Sequence, residues 1–432
     1  MSSKRSKPHP LRALRHRNFQ LFFAGQLISL IGTWMQQVAQ SWLLYRLTRS
    51  SLLLGGISFA GQIPIFLLGA LGGHVADQRD RRRILVATQT ASMILAFILA
   101  ALTLTHVIHE WHLFVLAALL GIVNAFDIPT RQAFLVEMVT REDLINAIAL
   151  NSSMFNGARI VGPAVAGLIV AAIGEGWCFF ANAVSYIAVI AGLLMMRVAP
   201  FTPQRTSRSM WANIAEGFSF AAKTAPVRAL LVLIGVVSFT ALPYSVLMPV
   251  FADQIFHSGA RGLGILMGAA GAGALCGSML LATRASVRGL GRWVAAACAL
   301  AGVALFAFSF SRNFALSAAI LLFAGCAMMV QMASSNTLIQ SMVPDALRGR
   351  VMALYSMMFM GMGPLGALVA GSIAQRAGAP MAVAAGGAIT FIAAVAFAIR
   401  LPALREPARQ LILAQQAAPG EPAQQTTATG AE

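Results

Sequence analysis

Charge is scarce in this sequence. Only 10% of its 432 residues are charged and only 14 are acidic, whereas 58% are hydrophobic and the mean hydropathy is +0.75. A soluble domain of this size needs far more charge on its surface. The composition therefore excludes a soluble protein and places the chain among membrane proteins.

Cysteine is equally sparse. The four cysteines stand singly in apolar stretches, at Cys178, Cys276, Cys298 and Cys326. This spacing argues against a disulfide framework and favours thiols that pack as small apolar side chains over metal ligands. We therefore predict neither a metal nor a cofactor.

Lysine occurs only at Lys4, Lys7 and Lys223, and none of the three lies in a glycine-rich loop that could hold a phosphate. The sequence also lacks a Ser-His-Asp set and a pair of carboxylates at catalytic spacing. An ATP-driven pump and a membrane enzyme are disfavoured for these reasons, and we predict no catalytic residues.

The chain is instead rich in long apolar runs. A helix needs about 20 apolar residues to cross a bilayer, and glycines, prolines and charge clusters divide the chain into about twelve runs of that length. The predicted spans cover residues 19–45, 52–76, 84–106, 112–131, 144–173, 177–197, 227–252, 260–283, 290–311, 313–336, 350–375 and 379–400.

The two halves of the chain repeat each other. Residues 69–73 recur 204 positions later as residues 273–277, and the same register relates Gly162 to Gly366 and Gly174 to Gly378. Membrane proteins built from two similar halves commonly enclose a pseudo-symmetric pathway, as secondary transporters do. Transport is therefore the first hypothesis.

The basic residues indicate the orientation. Most of the 31 fall in loops on one side of the predicted spans, the side that also carries both termini. By the positive-inside rule this side is the cytoplasm, which predicts a multi-pass protein of the inner (plasma) membrane. A net charge of +17 would suggest nucleic acid in a soluble protein, but here the charges sit in separate short loops. We predict no nucleic-acid partner.

These patterns predict five segments. They are a basic cytoplasmic arm at 1–18, a six-helix bundle at 19–197, a cytoplasmic linker at 198–226, a second six-helix bundle at 227–400 and a disordered cytoplasmic tail at 401–432. The linker is expected to hold a short interfacial helix. The tail is rich in Ala, Gln, Pro and Thr, which is typical of disorder.

The loop after the second span carries a glycine, an acidic residue four positions later and then a basic cluster. These residues are Gly73, Asp77, Arg81, Arg82 and Arg83. The pattern resembles the signature loop of the major facilitator superfamily, although Asp80 stands where that family usually has a second glycine. The resemblance implies a conformational latch, whereas an ordinary positive-inside loop would explain the arginines alone.

The fifth span holds small residues four apart together with a proline. The set is Ala158, Gly162, Pro163, Ala166 and Gly167. It resembles the Gly-Pro motif in the fifth helix of superfamily antiporters that export drugs, and so favours efflux. Close packing of a neighbouring helix is the alternative explanation for the same stripe.

A more specific resemblance covers residues 124–134, 150–152 and 348–355. These stretches are similar to the branch of the superfamily that contains the enterobactin exporter and macrolide efflux proteins. The resemblance implies an all-α membrane protein with twelve transmembrane helices in two pseudo-symmetric bundles. It also implies a monomer that exports a small organic molecule in exchange for protons.

Ionisable residues inside a membrane are costly and therefore mark a functional pathway or a structural pair. Asn124, Asp127 and Arg131 share one face of the fourth span, and Asn156 and Arg159 share a face of the fifth. Asp127 could pair with Arg131 or exchange protons. Arg159 is too central to reach the surface, so we expect it to face a cavity or a buried carboxylate, for which Asp127 is the candidate.

Neutral polar residues complete the candidate cavity. By the superfamily resemblance, the first, fourth, seventh and tenth helices surround the transport pathway. Their polar candidates are Gln26, Tyr244, Gln331 and Asn336. Hydrogen bonding between helices is the alternative role for these groups.

The sequence thus predicts an exporter of a siderophore, drug or related metabolite, with the lipid bilayer, a small-molecule substrate and protons as its partners. An importer of the same fold, for example for a lysophospholipid or another metabolite, is the alternative. Direction is only weakly encoded in the residues.

Overall fold

The computed structural model describes residues 11–198, 210–283 and 289–417, and within these ranges the regular structure is entirely helical. The long helices are α1 Arg17–Thr48, α2 Ser51–Gln78, α3 Arg81–Leu104, α4 Glu110–Phe134, α5 Leu144–Ile173, α6 Glu175–Met195, α7 Ala225–Ile255, α8 Gly259–Ala282, α9 Leu290–Phe310, α10 Phe314–Met342, α11 Leu347–Ala377 and α12 Ala379–Ala417. A connecting helix, Met210–Lys223, precedes α7.

Eleven of the helices in the described ranges are long and apolar enough to cross a membrane. The remaining long helix is α1, which extends over 32 residues but carries several glutamines. At about 1.5 Å per residue its length is ample for a bilayer. The described fold therefore agrees with the predicted twelve-helix membrane protein.

Short polar residues and glycines determine where the helices begin and end. Ser50, Asp80 and Asn313 each accept a hydrogen bond from the backbone N–H three residues later, and so cap the first turns of α2, α3 and α10. Gly174 and Gly378 end α5 and α11 with φ of +93° and +88°, a conformation that glycine adopts without strain. Because these two glycines are related by the 204-residue repeat, the halves end equivalent helices in the same way.

Helix packing repeats between the halves. In the first bundle α2 packs on α4 and α6 packs on α1 and α3; in the second, α8 packs on α10 and α12 packs on α7 and α9. Glycines permit the closest approaches, because a Cβ at Gly72 would overlap the backbone of α4 and one at Gly273 would overlap that of α10. The bundles meet along α2–α11 and α5–α8, which are also equivalent pairs.

We call the end of the molecule that carries the start of α1 the terminal end, and the end that carries the α1–α2 turn the distal end. The bundles touch at the distal end. Arg49 forms an ion pair with Asp253, and the Gln375 Oε1 accepts a hydrogen bond from the Ser51 N–H at 3.0 Å. A Cβ at Gly371 would lie only 2.7 Å from the Ser51 carbonyl oxygen, so α2 and α11 are in backbone contact here.

At the terminal end the facing helices part. On α2, the positions where Gly69 and Gly73 would carry a Cβ have no atom within 4 Å. On α5, Ile145 is 79% exposed, and Met279 on α8 is exposed as well. The molecule is therefore closed at one end and open at the other.

The helix bounds lie within three residues of the predicted spans except at two places. α10 continues to Met342 instead of residue 336, and α12 continues to Ala417 instead of residue 400. The expectation of a disordered tail is therefore wrong for residues 401–417, and residues 418–432 lie outside the described ranges. The α12 extension is helical because Leu401, Leu404 and Leu411 recur at helical spacing and pack against the second bundle.

The basic arm is described from residue 11 onwards. A single 3-10 turn, Arg12–Arg15, precedes α1, and Ala13 is fully buried. Arg12 and His16 reach the carboxylate of Asp143 at 3.0 and 2.8 Å, which fixes this part of the arm on the loop between α4 and α5. Residues 1–10, and residues 199–209 of the predicted linker, lie outside the described ranges.

Candidate transport site

The signature loop organises the terminal end of the first bundle. Arg81 donates a 2.6 Å hydrogen bond from Nη1 to Glu137 and a 3.1 Å hydrogen bond from Nε to the Ala76 carbonyl oxygen. Arg82 donates to the carbonyl oxygens of Leu193 and Leu194 at 2.7 and 2.6 Å. These two arginines therefore join α2 and α3 to the segment after α4 and to the end of α6.

Two acidic residues of this loop have different environments. Asp80, which replaces the glycine of the usual signature, caps α3 by accepting a hydrogen bond from the Arg83 N–H at 3.2 Å. The side chain of Asp77 is 50% exposed and lies 3.5 Å from Arg81 in its own loop. Arg83 is 88% exposed. Asp77 is thus accessible at the open end of the molecule.

The small residues of α5 serve two contacts on different faces. Ala158 and Ala166 are fully buried, and a Cβ at Gly162 would overlap the side chain of Trp34 on α1, within the same bundle. A Cβ at Gly167 would lie 2.9 Å from the Ala260 carbonyl oxygen, so this face of α5 meets α8 of the other bundle.

Pro163 belongs to the second face. Its carbonyl oxygen lies 2.6 Å from the position of a Cβ on Gly264 of α8. The interface between the bundles at α5–α8 is therefore built from Pro163, Gly167 and Gly264. The stripe of residues four apart contacts α1 within the first bundle.

Asp127 is 2% exposed and contacts one cationic and two neutral polar side chains. Its Oδ2 lies 2.7 Å from Nη2 of Arg131, and its Oδ1 accepts hydrogen bonds of 2.8 Å from Thr88 and from Gln89 on α3. The carboxylate therefore joins α3 to α4. Of the two arginines considered as its partner, it pairs with Arg131 and not with Arg159. The sequence signal for this site, two adjacent polar residues in the apolar α3, is recognisable only once Asp127 is known to face them.

Arg159 lies where the two bundles meet. Its guanidinium carbon is 5.7 Å from the centre of the Trp34 ring on α1, and Trp34 also contacts Phe155 edge to face at 5.7 Å. The Arg159 carbonyl oxygen lies 3.0 Å from the position of a Cβ on Gly271 of α8, in the second bundle. Tyr244 is buried on α7 of the same bundle. Among the described residues, no carboxylate lies within 4 Å of the Arg159 guanidinium.

Of the remaining candidates, some form hydrogen bonds within their own helix and others have a buried oxygen without a hydrogen-bond partner among the described residues. The Asn156 amide donates to the Ser152 carbonyl oxygen at 2.9 Å on its own helix, and Asn336 accepts from Gln340 at 2.5 Å. Gln26 and Gln331 are buried on α1 and α10, and the Oε1 of each has no hydrogen-bond partner among the described residues. Asn124 is half-buried on α4.

The sequence also does not predict a polar contact between α1 and α6. Asn182 donates a hydrogen bond of 2.7 Å to Gln36, and both side chains are buried. Asn182 is surrounded by apolar residues along its own helix, so its role is recognisable only from its partner on α1. This bond fixes α1 against α6, whereas Trp34, two residues earlier, lies on the face of α1 that meets α5.

Two apolar six-helix bundles that meet around buried polar and cationic side chains define a membrane transporter of the major facilitator type. The sequence profile of the transmembrane secretion effector family matches residues 9–421. The chain therefore belongs to this family of the major facilitator superfamily, which confirms the resemblance. Members of the superfamily are transporters and not enzymes.

Individual relatives agree with this assignment. The chain is 26% identical over 350 residues to the staphyloferrin A transporter of Staphylococcus aureus, covering 81% of this chain and 87% of that protein. It is 26% identical over 357 residues to the multidrug efflux pump Tap of Mycolicibacterium fortuitum, covering 80% and 87%. It is 25% identical over 274 residues to macrolide efflux protein A of Streptococcus pyogenes, covering 61% and 65%.

Solved structures share the fold. A bacterial homologue of the iron transporter ferroportin, solved in an inward-facing state, superposes with a TM-score of 0.69 at 16% identity, covering 89% of this chain and 98% of that chain. The nucleoside transporter NupG superposes with a TM-score of 0.67 at 15% identity, covering 94% and 100%. At these identities the likeness concerns the fold alone.

Proposed function

We propose that this protein exports a small organic molecule across the inner membrane by alternating access, with both termini in the cytoplasm. The observation that carries the proposal is the uneven contact between the bundles, which touch at the distal end and part at the terminal end. The positive-inside rule assigns the terminal end to the cytoplasm. A carrier in this state is open to cargo from inside the cell.

The relatives support export as the direction. They are named for transport of staphyloferrin A and for efflux of multiple drugs or macrolides. The cargo classes of this proposal are accordingly siderophores, drugs and related metabolites. Both bundles and the cavity between them belong to one chain, so we propose that the monomer is the working unit.

In the alternating-access cycle, one bundle rocks against the other around the central site. Closure of the terminal end would bring α2 towards α11, its partner at the distal end. Asp77, exposed in the open state, would then accept hydrogen bonds from the N-terminal turn of α11. Arg81 and Arg82 hold the loop in place for this contact. We propose that Asp77 is the latch residue.

The proton gradient is the proposed energy source. The resemblance to proton-driven exporters supports it, and the buried ion pair of Asp127 and Arg131 offers one carboxylate for proton exchange. The same pair joins α3 to α4 as a structural brace. The response of Asp127→Asn to a pH gradient decides between these roles, because a folded variant that keeps the response would leave the pair as a brace.

Inside-out membrane vesicles test the proposal, because export is measured there as accumulation of cargo inside the vesicle. A panel of siderophores and macrolide antibiotics should include at least one compound that accumulates in vesicles with the protein and not in vesicles without it. A pH gradient with the acidic side inside the vesicle should raise the rate of cargo accumulation. Accumulation only in right-side-out vesicles would instead establish an importer, and no accumulation in either would refute transport of these classes.

The matched variants for this assay are Asp77→Asn and Arg312→Gln. Arg312 is exposed in the distal loop between α9 and α10, remote from the proposed latch. Loss of accumulation in Asp77→Asn alone, with both proteins inserted equally, supports the latch.

A further inference from the structure

The charge balance of the membrane interior is uneven. Within the middle of the described spans, Asp127 is neutralised by Arg131, whereas Arg159 has no carboxylate within 4 Å among the described residues. An arginine in this position is costly to keep charged, and it is retained where it faces a cavity and meets an opposite charge. The site between the bundles therefore carries one uncompensated positive charge.

The surroundings of Arg159 form a recognition surface. The Trp34 ring lies under its guanidinium at 5.7 Å, a distance typical of a cation–π contact, which orients the planar group. Phe155, one turn before Arg159 on α5, contacts the Trp34 ring edge to face at 5.7 Å. A Cβ at Gly271 of α8 would lie 3.0 Å from the Arg159 carbonyl oxygen, so this surface borders the second bundle.

We infer that Arg159 and Trp34 form an anion-recognition site, and that the cargo is an organic anion with a flat aromatic or otherwise apolar part. A guanidinium binds carboxylates and related oxyanions with two parallel hydrogen bonds. An indole ring stacks on flat groups. A cationic cargo would meet repulsion from Arg159 at the same place. This inference rests on the proposed export function and specifies its substrate class.

Two dyes with the same xanthene ring test the inference, since fluorescein is an anion at mildly alkaline pH and rhodamine 6G is a cation. Fluorescence anisotropy measures their binding to the full-length protein in lipid nanodiscs. The wild type should bind fluorescein more tightly than rhodamine 6G. Arg159→Gln should weaken fluorescein binding about ten- to a hundredfold, the usual loss for hydrogen bonds to a charged group. Arg159→Lys should restore part of it.

Arg312→Gln is the matched control, because it removes an exposed arginine remote from the central site and should leave fluorescein binding unchanged. Equal thermal unfolding of the variants shows that a loss is not misfolding. Preference of the wild type for rhodamine 6G, absence of fluorescein binding, or unchanged binding in folded Arg159→Gln would overturn the inference.

The binding and transport experiments can refute the anion site and the export function independently of each other. Fluorescein binding that depends on Arg159, without accumulation of any compound in either vesicle orientation, would support the anion site and refute the export function. Accumulation of neutral or cationic compounds that does not change in Arg159→Gln would support export and refute the anion site.

Discussion

The ion pair between Arg49 and Asp253 is expected to hold the distal end closed. Arg49 is the left-handed residue that ends α1, with φ of 51°, and its guanidinium lies 5.6 Å from the Tyr45 ring centre. Asp253 lies in the π-helical turn that ends α7. The two residues are related by the 204-residue repeat, so the pair joins equivalent positions across the pseudo-symmetry axis. Opening of the distal end must separate them.

The size of the effect follows from exposure. Arg49 is 58% exposed and Asp253 is 27% exposed, so water screens much of their attraction. A pair of this exposure contributes about 0.5–1 kcal/mol. Removing it with Asp253→Asn should therefore shift the equilibrium between closed and open distal ends by about two- to fivefold towards the open state.

Distances between spin labels measure this shift. After replacement of the native cysteines, labels at Thr105 and Arg312 report the distal end and labels at Arg141 and Asp345 report the terminal end; all four side chains are exposed. Asp253→Asn should increase the population with a long distal distance and, as the bundles rock, the population with a short terminal distance.

A charge-swapped chain with Arg49→Asp and Asp253→Arg should recover the wild-type distribution. The control is Glu175→Gln, which removes an ion pair of 3.0 Å to Arg46 that lies within one bundle. This variant should leave both distances unchanged. If Asp253→Asn and the charge swap both give the wild-type populations, or if Glu175→Gln shifts them equally, the pair does not act as a gate.

Three further outcomes are expected. Asp77→Asn should reduce transport in the vesicle assay while membrane insertion, measured by yield and protease protection, is unchanged; equal rates would refute the latch. Gly72→Ala should lower the unfolding temperature, because overpacking costs about 1–3 kcal/mol, whereas Gly69→Ala, with open space around it, should not; equal effects would contradict the packing. Asp127→Asn should destabilise the fold by about 1–3 kcal/mol, because it removes the charge with which the half-buried Arg131 pairs. Adding Arg131→Gln to that variant should recover part of the loss, and a purely additive double variant would refute the pairing.

Most of the fold could be predicted from the sequence because a bilayer requires long apolar helices. The bounds predicted for α5 agree with the helix Leu144–Ile173. The end of α10 was missed because Thr337, Gln340 and Ser341 are typical of a loop, yet each bonds within the helix. Polar groups that are satisfied inside a helix carry no signal of a boundary.

The candidate site was less predictable because its contacts depend on how distant helices dock. Spacing on one helix suggests that Asp127 meets Arg131, and the two lie 2.7 Å apart. By contrast, the contact of Arg159 with Trp34 joins α5 to α1, and that of Arg49 with Asp253 joins the two bundles. Periodicity along one helix contains no information about such partners.

The repeat itself separates framework from specificity. Some positions that shape the backbone are the same in both halves, such as Gly167 and Gly371, each of which brings its helix against the other bundle. The central positions differ, because Trp34 and Arg159 correspond through the 204-residue register to Ser238 and Gly363.

The helices that carry these positions are in contact in both halves, but the side chains at the contact differ. A Cβ at Gly363 would lie 3.9 Å from the Ser238 carbonyl oxygen, so α7 and α11 approach as α1 and α5 do. One half thus offers a cation on an aromatic ring, and the other offers small side chains at the equivalent place. Since a symmetric scaffold needs no such difference, we expect cargo selection to reside there. A chain with both Arg159→Gly and Gly363→Arg should lose the preference for fluorescein over rhodamine 6G while its unfolding temperature stays close to that of the wild type.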